Sequence, residues 1–239
     1  VETNDAKAWP FNMLKAVVIH SGGMDSSICL ALAIREFGAE NVASLSFSYS
    51  QRHSKEMQQA EKIASFWKVE KYFFSIDFLP KITKNALTDH SIPISTEENL
   101  PPNTLVLGRN GLMARLGAIF AHGKGASIIY MGIMELESAN SGYRDCSRKY
   151  MDLKQKLLRL DLDNPKFEIR TPLVYMTKKE SLELAHELGI LTFLLKETVT
   201  CYEGIPLLGC GVCPACLLRN QGLREFQAEH PEVELPYPI

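Results

Sequence analysis

Short apolar runs and helix-spaced apolar stripes alternate along the first half of the chain. Ala16-Val17-Val18-Ile19 is a continuous apolar run closed by polar residues and predicts a buried strand from Lys15 to His20. Asp25 to Phe37 predicts a helix, Asn41 to Phe47 a second strand, and Glu70 to Ile76 a third. Between the last two, Ser54 to Trp67 places Met57, Ala60, Ile63, Ala64 and Trp67 on one helical face. Asn110 to His122 predicts another helix and Ser127 to Met131 a short strand, and helical patterning returns over Arg148 to Leu160 and Lys178 to Leu188. This rhythm predicts an α/β fold: a doubly wound, mostly parallel sheet with helices on both faces.

Two connections are long. Phe78 to Leu107 has no clear periodicity and predicts a lid or substrate loop, and Met134 to Arg148 carries Ser141-Gly142-Tyr143-Arg144-Asp145-Cys146. Ligands of such sheets bind beyond the carboxyl ends of the strands. Ser21–Ser27, Ser48–His53, Gly132–Cys146 and Pro172–Lys178 all begin where strands end, so they are expected to converge.

Composition narrows the classes. A chain of 239 residues with 46% hydrophobic and 23% charged content suits one α/β domain with a small appendage. A net charge of −2 offers no footprint for long nucleic acid, and no apolar run approaches the roughly 20 residues of a membrane span. Neither direct nucleic-acid binding nor membrane insertion is therefore expected. Val1 to Asn12 lacks an apolar h-region and a small-residue cleavage site, so no secretory signal is expected, and with four cysteines crowded into one short stretch a reducing, cytoplasmic compartment is expected.

The first chemical signal is Ser21-Gly22-Gly23-Met24-Asp25-Ser26-Ser27, between a strand and a helix start. Glycines allow close approach and φ > 0, while the free amides and dipole of the helix start face an anion. The same stretch also fits a plain capped turn with Asp25 or a serine as N-cap. No Gly-Lys-Ser/Thr closes the loop and no third glycine follows, which excludes the Walker and dinucleotide patterns. It resembles the pyrophosphate loop of the ATP-pyrophosphatase superfamily, Ser-Gly-Gly-x-Asp-Ser. That resemblance implies transfer of AMP to an acid or amide oxygen, with the loop holding pyrophosphate.

The second signal is Cys201-x8-Cys210-x2-Cys213-x2-Cys216, four of the six cysteines. Four thiolates make a closed tetrahedral zinc site, which is structural because no coordination position stays open. Soft thiolates also suit an iron–sulfur cluster, and disulfides fit poorly with a reducing compartment. Metal binding is expected to supply about 10–16 kcal/mol of local folding free energy.

Loop and cysteine spacing together resemble the QueC family, the 7-cyano-7-deazaguanine synthases of the queuosine pathway, from Leu14 to Leu223. Tyr49-Ser50-Gln51-Arg52-His53, Leu107-Gly108-Arg109-Asn110, Ser141 to Cys146, Thr171-Pro172-Leu173 with Lys178, and Thr200-Cys201-Tyr202 carry the likeness. The resemblance implies an adenine nucleotide alpha hydrolase-like fold. It also implies an ATP-dependent ligase that converts 7-carboxy-7-deazaguanine and ammonia to the nitrile, with magnesium-bound ATP, one structural zinc and a homodimer. Ser50, Leu107 and Arg144 depart from the family's Gly, Pro and Pro, and the acid before Ser-Gly-Tyr is missing, so Glu135 or Glu137 is expected to replace it.

On this resemblance Asp25, Arg52, Arg109 and Lys178 are the catalytic candidates. His20, Ser21, Gly22, Gly23, Met24, Asp25, Ser26, Ser27, Ile28, Cys29 and Leu30 form the nucleotide-binding stretch. Tyr49, Gln51, His53, Asn110, Glu135, Gly142, Tyr143 and Asp145 are the substrate candidates, and Cys201, Cys210, Cys213 and Cys216 the metal ligands. Plainer roles stand beside these: Lys178 as a solvated residue in the capping box Thr177-x-x-Glu180, Asn110 or Asp145 as helix caps, and Cys29 as packing. The expected division is 1–13 as an extension, 14–175 as the ATP-binding domain and 176–239 as a helical metal-binding region. Other adenylating acceptors, an RNA or protein among them, and a nucleotide-binding module without turnover remain alternatives.

Overall fold

The computed structural model describes residues 13–49, 55–86, 91–92, 103–138 and 142–238. Ala16–Ile19 (β1) leads into Met24–Phe37 (α1), then Val42–Ser48 (β2), Lys55–Phe66 (α2) and Glu70–Ser75 (β3). After a short Leu79–Ile82 (α3) come Arg109–Gly123 (α4), Ile128–Met131 (β4), Glu135–Ser138 (α5), Arg148–Asp161 (α6) and Glu168–Arg170 (β5). The chain closes with Lys178–Glu187 (α7), Leu191–Glu197 (α8) and Pro214–Glu229 (α9).

The strands form one five-stranded sheet in the order β3-β2-β1-β4-β5, and every described pairing is parallel. β1 is central, with Ala16 opposite both Val42 and Ile128. Its side chains alternate between two cores, as the pleat requires. Val17 and Ile19 join Ala114, Ala118, Met151 and Leu158 of α4 and α6, while Ala16 and Val18 join Ile28 and Leu30 of α1 with Leu182, Leu194, Leu223 and Phe226 of α7, α8 and α9. Helices therefore cover both faces, as the apolar rhythm predicts.

The chain runs outward from β1 to β3, then returns to place β4 on the other side of β1. That reversal puts the topological switch point beyond the carboxyl ends of β1 and β4, where such sheets open a ligand crevice. Close backbone packing sharpens it. A Cβ on Gly132, just past β4, would lie 2.6 Å from the amide nitrogen of Ser26 and 2.7 Å from the carbonyl carbon of Asp25.

The expected lid differs from its reading at both ends. It begins with α3, and its far end is anchored by Thr104 and Val106, buried like Asn85 and Ala86, with the Ala86 amide donating to the Asn103 carbonyl at 2.8 Å. Residues 87–90 and 93–102 lie outside the described residues.

Candidate functional site

The loop predicted to bind phosphate is built as a set of short hydroxyl bonds. Ser26 and Ser27 donate to the Gly23 carbonyl at 3.1 and 2.8 Å, Ser21 and Ser26 share a hydroxyl bond of 3.1 Å, and the Gly23 amide reaches Ser21 Oγ at 3.3 Å. The N-cap of α1 is Gly23, with no side-chain cap, so neither Asp25 nor a serine caps the helix and its first amides are left for an anion. Gly22 sits at φ +82°, and a Cβ there would lie 2.7 Å from the amide nitrogen of Ala60 in α2. Only glycine fits.

Asp25 points toward α7. Lys178 Nζ donates to its two carboxylate oxygens at 2.7 and 2.9 Å and approaches Met134 Sδ at 3.2 Å. Both halves of the predicted capping box are present, with the Thr177 amide on Glu180 Oε2 and the Glu180 amide on Thr177 Oγ1. Lys178 is nevertheless buried, at 6% exposure, which corrects the solvated alternative.

Beside the loop lies a cavity of about 230 Å³. Ile19, His20, Ser21 and Ser26 wall it from β1 and α1, Phe47 and Tyr49 from the end of β2, and Met131, Gly132 and Ile133 from β4. Glu56 and Met57 of α2, Arg109, Asn110 and Met113 of α4, and Tyr202 complete it. Three of the four segments expected to converge contribute walls directly, and the fourth contributes Lys178 through Asp25.

Arg109 donates to the Tyr49 hydroxyl at 3.1 Å and holds a cation at the cavity wall. His20 is tied between Ser44 Oγ at 2.9 Å and Ser27 Oγ at 3.0 Å, and burial lowers its pKa to about 3, so it stays neutral. Glu56 moves the other way: burial raises its pKa to about 7 against the opposing pull of Arg109.

Several predicted residues make structural bonds of their own. Asn110 is not the N-cap of α4, which is Gly108; its amide instead donates to Asp145 Oδ2 at 2.9 Å and its Nδ2 reaches Cys146 Sγ at 3.2 Å. Asp145 thus serves the start of α4 and not α6, whose N-cap is Ser147. Glu135 accepts from the Arg148 amide at 2.8 Å and is not among the residues that line the cavity. Its carboxylate completes the amides at the start of α6, where negative charge is favoured. Tyr143 bonds Thr104 Oγ1 at 2.6 Å, and Gly142 adopts φ +100°. The side chains of Met24, Ile28, Cys29 and Leu30 are buried in the core under α1. Gln51, Arg52 and His53, and the side chain of Glu137, lie outside the described residues.

Sequence reasoning missed Glu56 and Tyr202 as walls of the cavity. Tyr202 carried a signal, being adjacent to Cys201; Glu56 follows His53 at three residues, on the turn that opens α2.

The four cysteine sulfurs all lie within 4.8 Å of one another, with Cys201, Cys213 and Cys216 buried. Tetrahedral zinc with Zn–S of about 2.3 Å places sulfurs about 3.8 Å apart, and Cys210 Sγ stands 3.9 Å from Cys216 Sγ. Amides of Glu203 and Cys210 point at Cys201 Sγ at 3.4 Å, and that of Cys213 at Cys210 Sγ at 3.3 Å, which suits thiolates. The donor set fits a metal ion.

The opposed shifts of His20 and Glu56 give a stability prediction. The unfolded chain protonates His20 near 6.5, whereas the folded protein resists until about 3, so this contribution is lost as pH falls through that window. Glu56 keeps its proton in the folded protein up to about 7 but only to about 4.5 when unfolded, so its contribution is lost as pH rises. From about 4.5 to 6.5 the two slopes oppose. Glu56→Gln removes one and uncovers the other: relative to wild type, urea-derived stability is expected to fall on acidification by up to about 1.4 kcal/mol per pH unit. Parallel pH curves for the two proteins would contradict the opposed shifts.

Among the described residues no helix is long and apolar enough to cross a membrane. The fold is similar to NMN synthetase from Francisella tularensis, at 16% identity and TM-score 0.45 over 96% of this chain and 90% of that one. It is similar also to an NH3-dependent NAD synthetase from Campylobacter jejuni subsp. jejuni, at 16% identity and TM-score 0.48 over 94% and 89%. The U34-tRNA thiolase NcsA from Methanococcus maripaludis, solved with its iron–sulfur cluster, aligns at 15% identity and TM-score 0.48 over 95% of this chain and 76% of that one. The family model described as queuosine biosynthesis protein QueC matches residues 15–227, which take in the whole sheet, the loop and all four cysteines, and the chain belongs to that family.

Proposed function

We propose that this member of a queuosine-biosynthesis family is an ATP-dependent carbon–nitrogen ligase that converts 7-carboxy-7-deazaguanine and ammonia to 7-cyano-7-deazaguanine. The observation that carries the reading is the position of the cavity, which opens from the uncapped start of α1 with Ser21 and Ser26 in its wall and the Arg109 cation in the same lining. Anion-binding amides and a bounded pocket are thereby adjacent, as transfer of AMP to a bound acid requires.

A carboxylate resists amines, so it must first gain a leaving group. On this reading the α1 amides and the loop hydroxyls hold the departing pyrophosphate, Arg109 and Lys178 offset negative charge near the α-phosphate, and Arg52 is proposed to join them. Phe47, Tyr49, Met113 and Tyr202 offer apolar and aromatic surface for a flat purine-like ring. Ammonia gives the amide; activation of the amide oxygen and loss of AMP give the nitrile. Zinc is proposed as the ion on the four cysteines, holding Tyr202 beside the cavity. The reading takes 14–175 as the nucleotide domain and 176–239 as the metal-bearing region, in a cytoplasmic homodimer fed by free ammonia.

The test is incubation of the metal-loaded protein with ATP, magnesium, ammonium and the acid, followed by mass spectrometry. Nitrile, AMP and pyrophosphate are the expected products, and absence of nitrile defeats the assignment. The engagement of Glu135 with the start of α6 favours a second reading of the acceptor, a different 7-deazaguanine acid. A panel of such acids in acid-dependent ATP–pyrophosphate exchange separates the two.

A further inference from the structure

Glu56 stands on the first turn of α2, where Gly22 brings the phosphate loop against the helix backbone. Glu56 lines the cavity together with Ser21, Ser26 and Arg109, and its carboxyl feels the Arg109 charge and makes no hydrogen bond with any described residue. Among the described residues of that wall, every other titratable group is committed or unsuited as a base. His20 is fixed between two serines, Arg109 is a cation, Tyr49 accepts from Arg109, and Tyr202 is a phenol whose buried position disfavours ionisation. Asp25, one turn of loop away, is engaged by Lys178.

We propose that Glu56 is the proton acceptor for the nitrogen nucleophile, an assignment that rests on the ligase reading above. Ammonium carries no lone pair and cannot attack. Glu56 as carboxylate takes one proton from it, and the freed ammonia forms a C–N bond to the activated carbonyl carbon as the C–O bond to phosphate breaks and AMP leaves. The new nitrogen sheds a further proton to reach the neutral amide. In the second round the amide oxygen attacks the α-phosphorus and pyrophosphate leaves. The nitrogen then loses its two remaining protons, one on activation and one as the C–O bond breaks to give the nitrile and AMP. Each proton is accepted singly and returned to solvent between steps, so no oxidant or reductant is required. A carboxyl that titrates near 7, as burial sets Glu56, is matched to accepting and releasing protons at neutral pH.

Glu56→Gln keeps the shape and removes the base. Acid-dependent ATP–pyrophosphate exchange, which uses no nitrogen, is expected to fall far less than amide and nitrile formation. Amide and nitrile formation at saturating ammonium is expected to fall by about a hundredfold or more. The wild-type kcat profile should bend near pH 7, the variant should lose that bend, and formate or Glu56→Asp should restore part of the rate. Parallel loss of exchange and nitrile formation in Glu56→Gln overturns the assignment in favour of a structural or magnesium-binding role, and so does undiminished nitrile formation. A wild-type protein that shows no acid-dependent exchange defeats the ligase reading and this proposal together.

Discussion

Cys216→Ser is expected to release the metal and to displace one wall of the cavity in the same step. Cys216 is fully buried, its sulfur lies among the other three, and Gly209 is packed so closely that a Cβ there would meet Cys201 Cβ at 3.1 Å. A hydroxyl is a poor replacement for a thiolate toward a soft, four-sulfur site. Binding free energies of about 10–16 kcal/mol for such sites rival the whole stability of a domain, about 5–15 kcal/mol. The loss is nonetheless expected to be local. Arg219 of α9 ties the loop carbonyls of Leu207 and Leu208 to the helix, and α9 itself is anchored by Leu223 and Phe226 in the core beneath α1. The sheet and α9 should therefore stay folded while Thr198 to Leu218 loosens, and Tyr202, next to Cys201, leaves the cavity. Metal analysis should show near-complete loss of bound ion, proteolysis should open new cleavage within 198–218, and hydrogen exchange should rise there while β1 and β4 stay protected. Metal retained at wild-type level, or lost without change around Tyr202, would falsify the coupling.

Local patterns made the glycine-loop end of the fold legible. β1, the glycine loop and α1 follow from a four-residue apolar run, two adjacent glycines and a buried helix, all contiguous in the chain. The parallel sheet follows from the order of elements. β5 was not readable in this way, because Glu168–Arg170 has no apolar run and owes its place to tertiary bonds. The Glu168 amide reaches the Ser127 carbonyl at 2.8 Å, and the Ile169 amide reaches Gln155 Oε1 at 2.6 Å. α8 and α9 appeared only as a helical region, since the ligand spacing around Cys213 and Cys216 masks a helix that starts at Pro214. Roles of acidic residues were the least legible. Glu135 and Asp145 are both spent on helix-start amides of other segments, and Glu56 gains its position from a glycine 34 residues earlier in the chain. No spacing rule links residues so far apart; the crossover geometry does.

Lys178→Met is expected to damage activity and stability together, and the second can be repaired without the first. The Lys178 ammonium joins α7 to the first turn of α1, and its stem is packed on Gly222, where a Cβ would lie 2.8 Å from Lys178 Cγ. Removing one partner of a buried ion pair costs about 3–5 kcal/mol when the survivor is sealed from water. The Asp25 side chain is 28% exposed, so it can partly resolvate, and a loss below that range, about 2–3 kcal/mol, is expected. Activity should suffer more. On the ligase reading, an unpaired Asp25 carboxylate beside the uncapped amides of α1 would oppose a departing pyrophosphate, and loss of one charge-stabilising donor typically costs about 10²–10³ in rate. In the double variant Asp25→Asn/Lys178→Met no uncompensated charge remains, so urea unfolding should recover most of the lost stability. ATP–pyrophosphate exchange should stay depressed in that variant, because the cation is still missing. Lys178→Arg should not rescue either property, since the space against Gly222 holds a slim chain and a point charge, not a planar guanidinium. Recovery of exchange along with stability in the double variant would confine Lys178 to a structural role and leave charge stabilisation to Arg109.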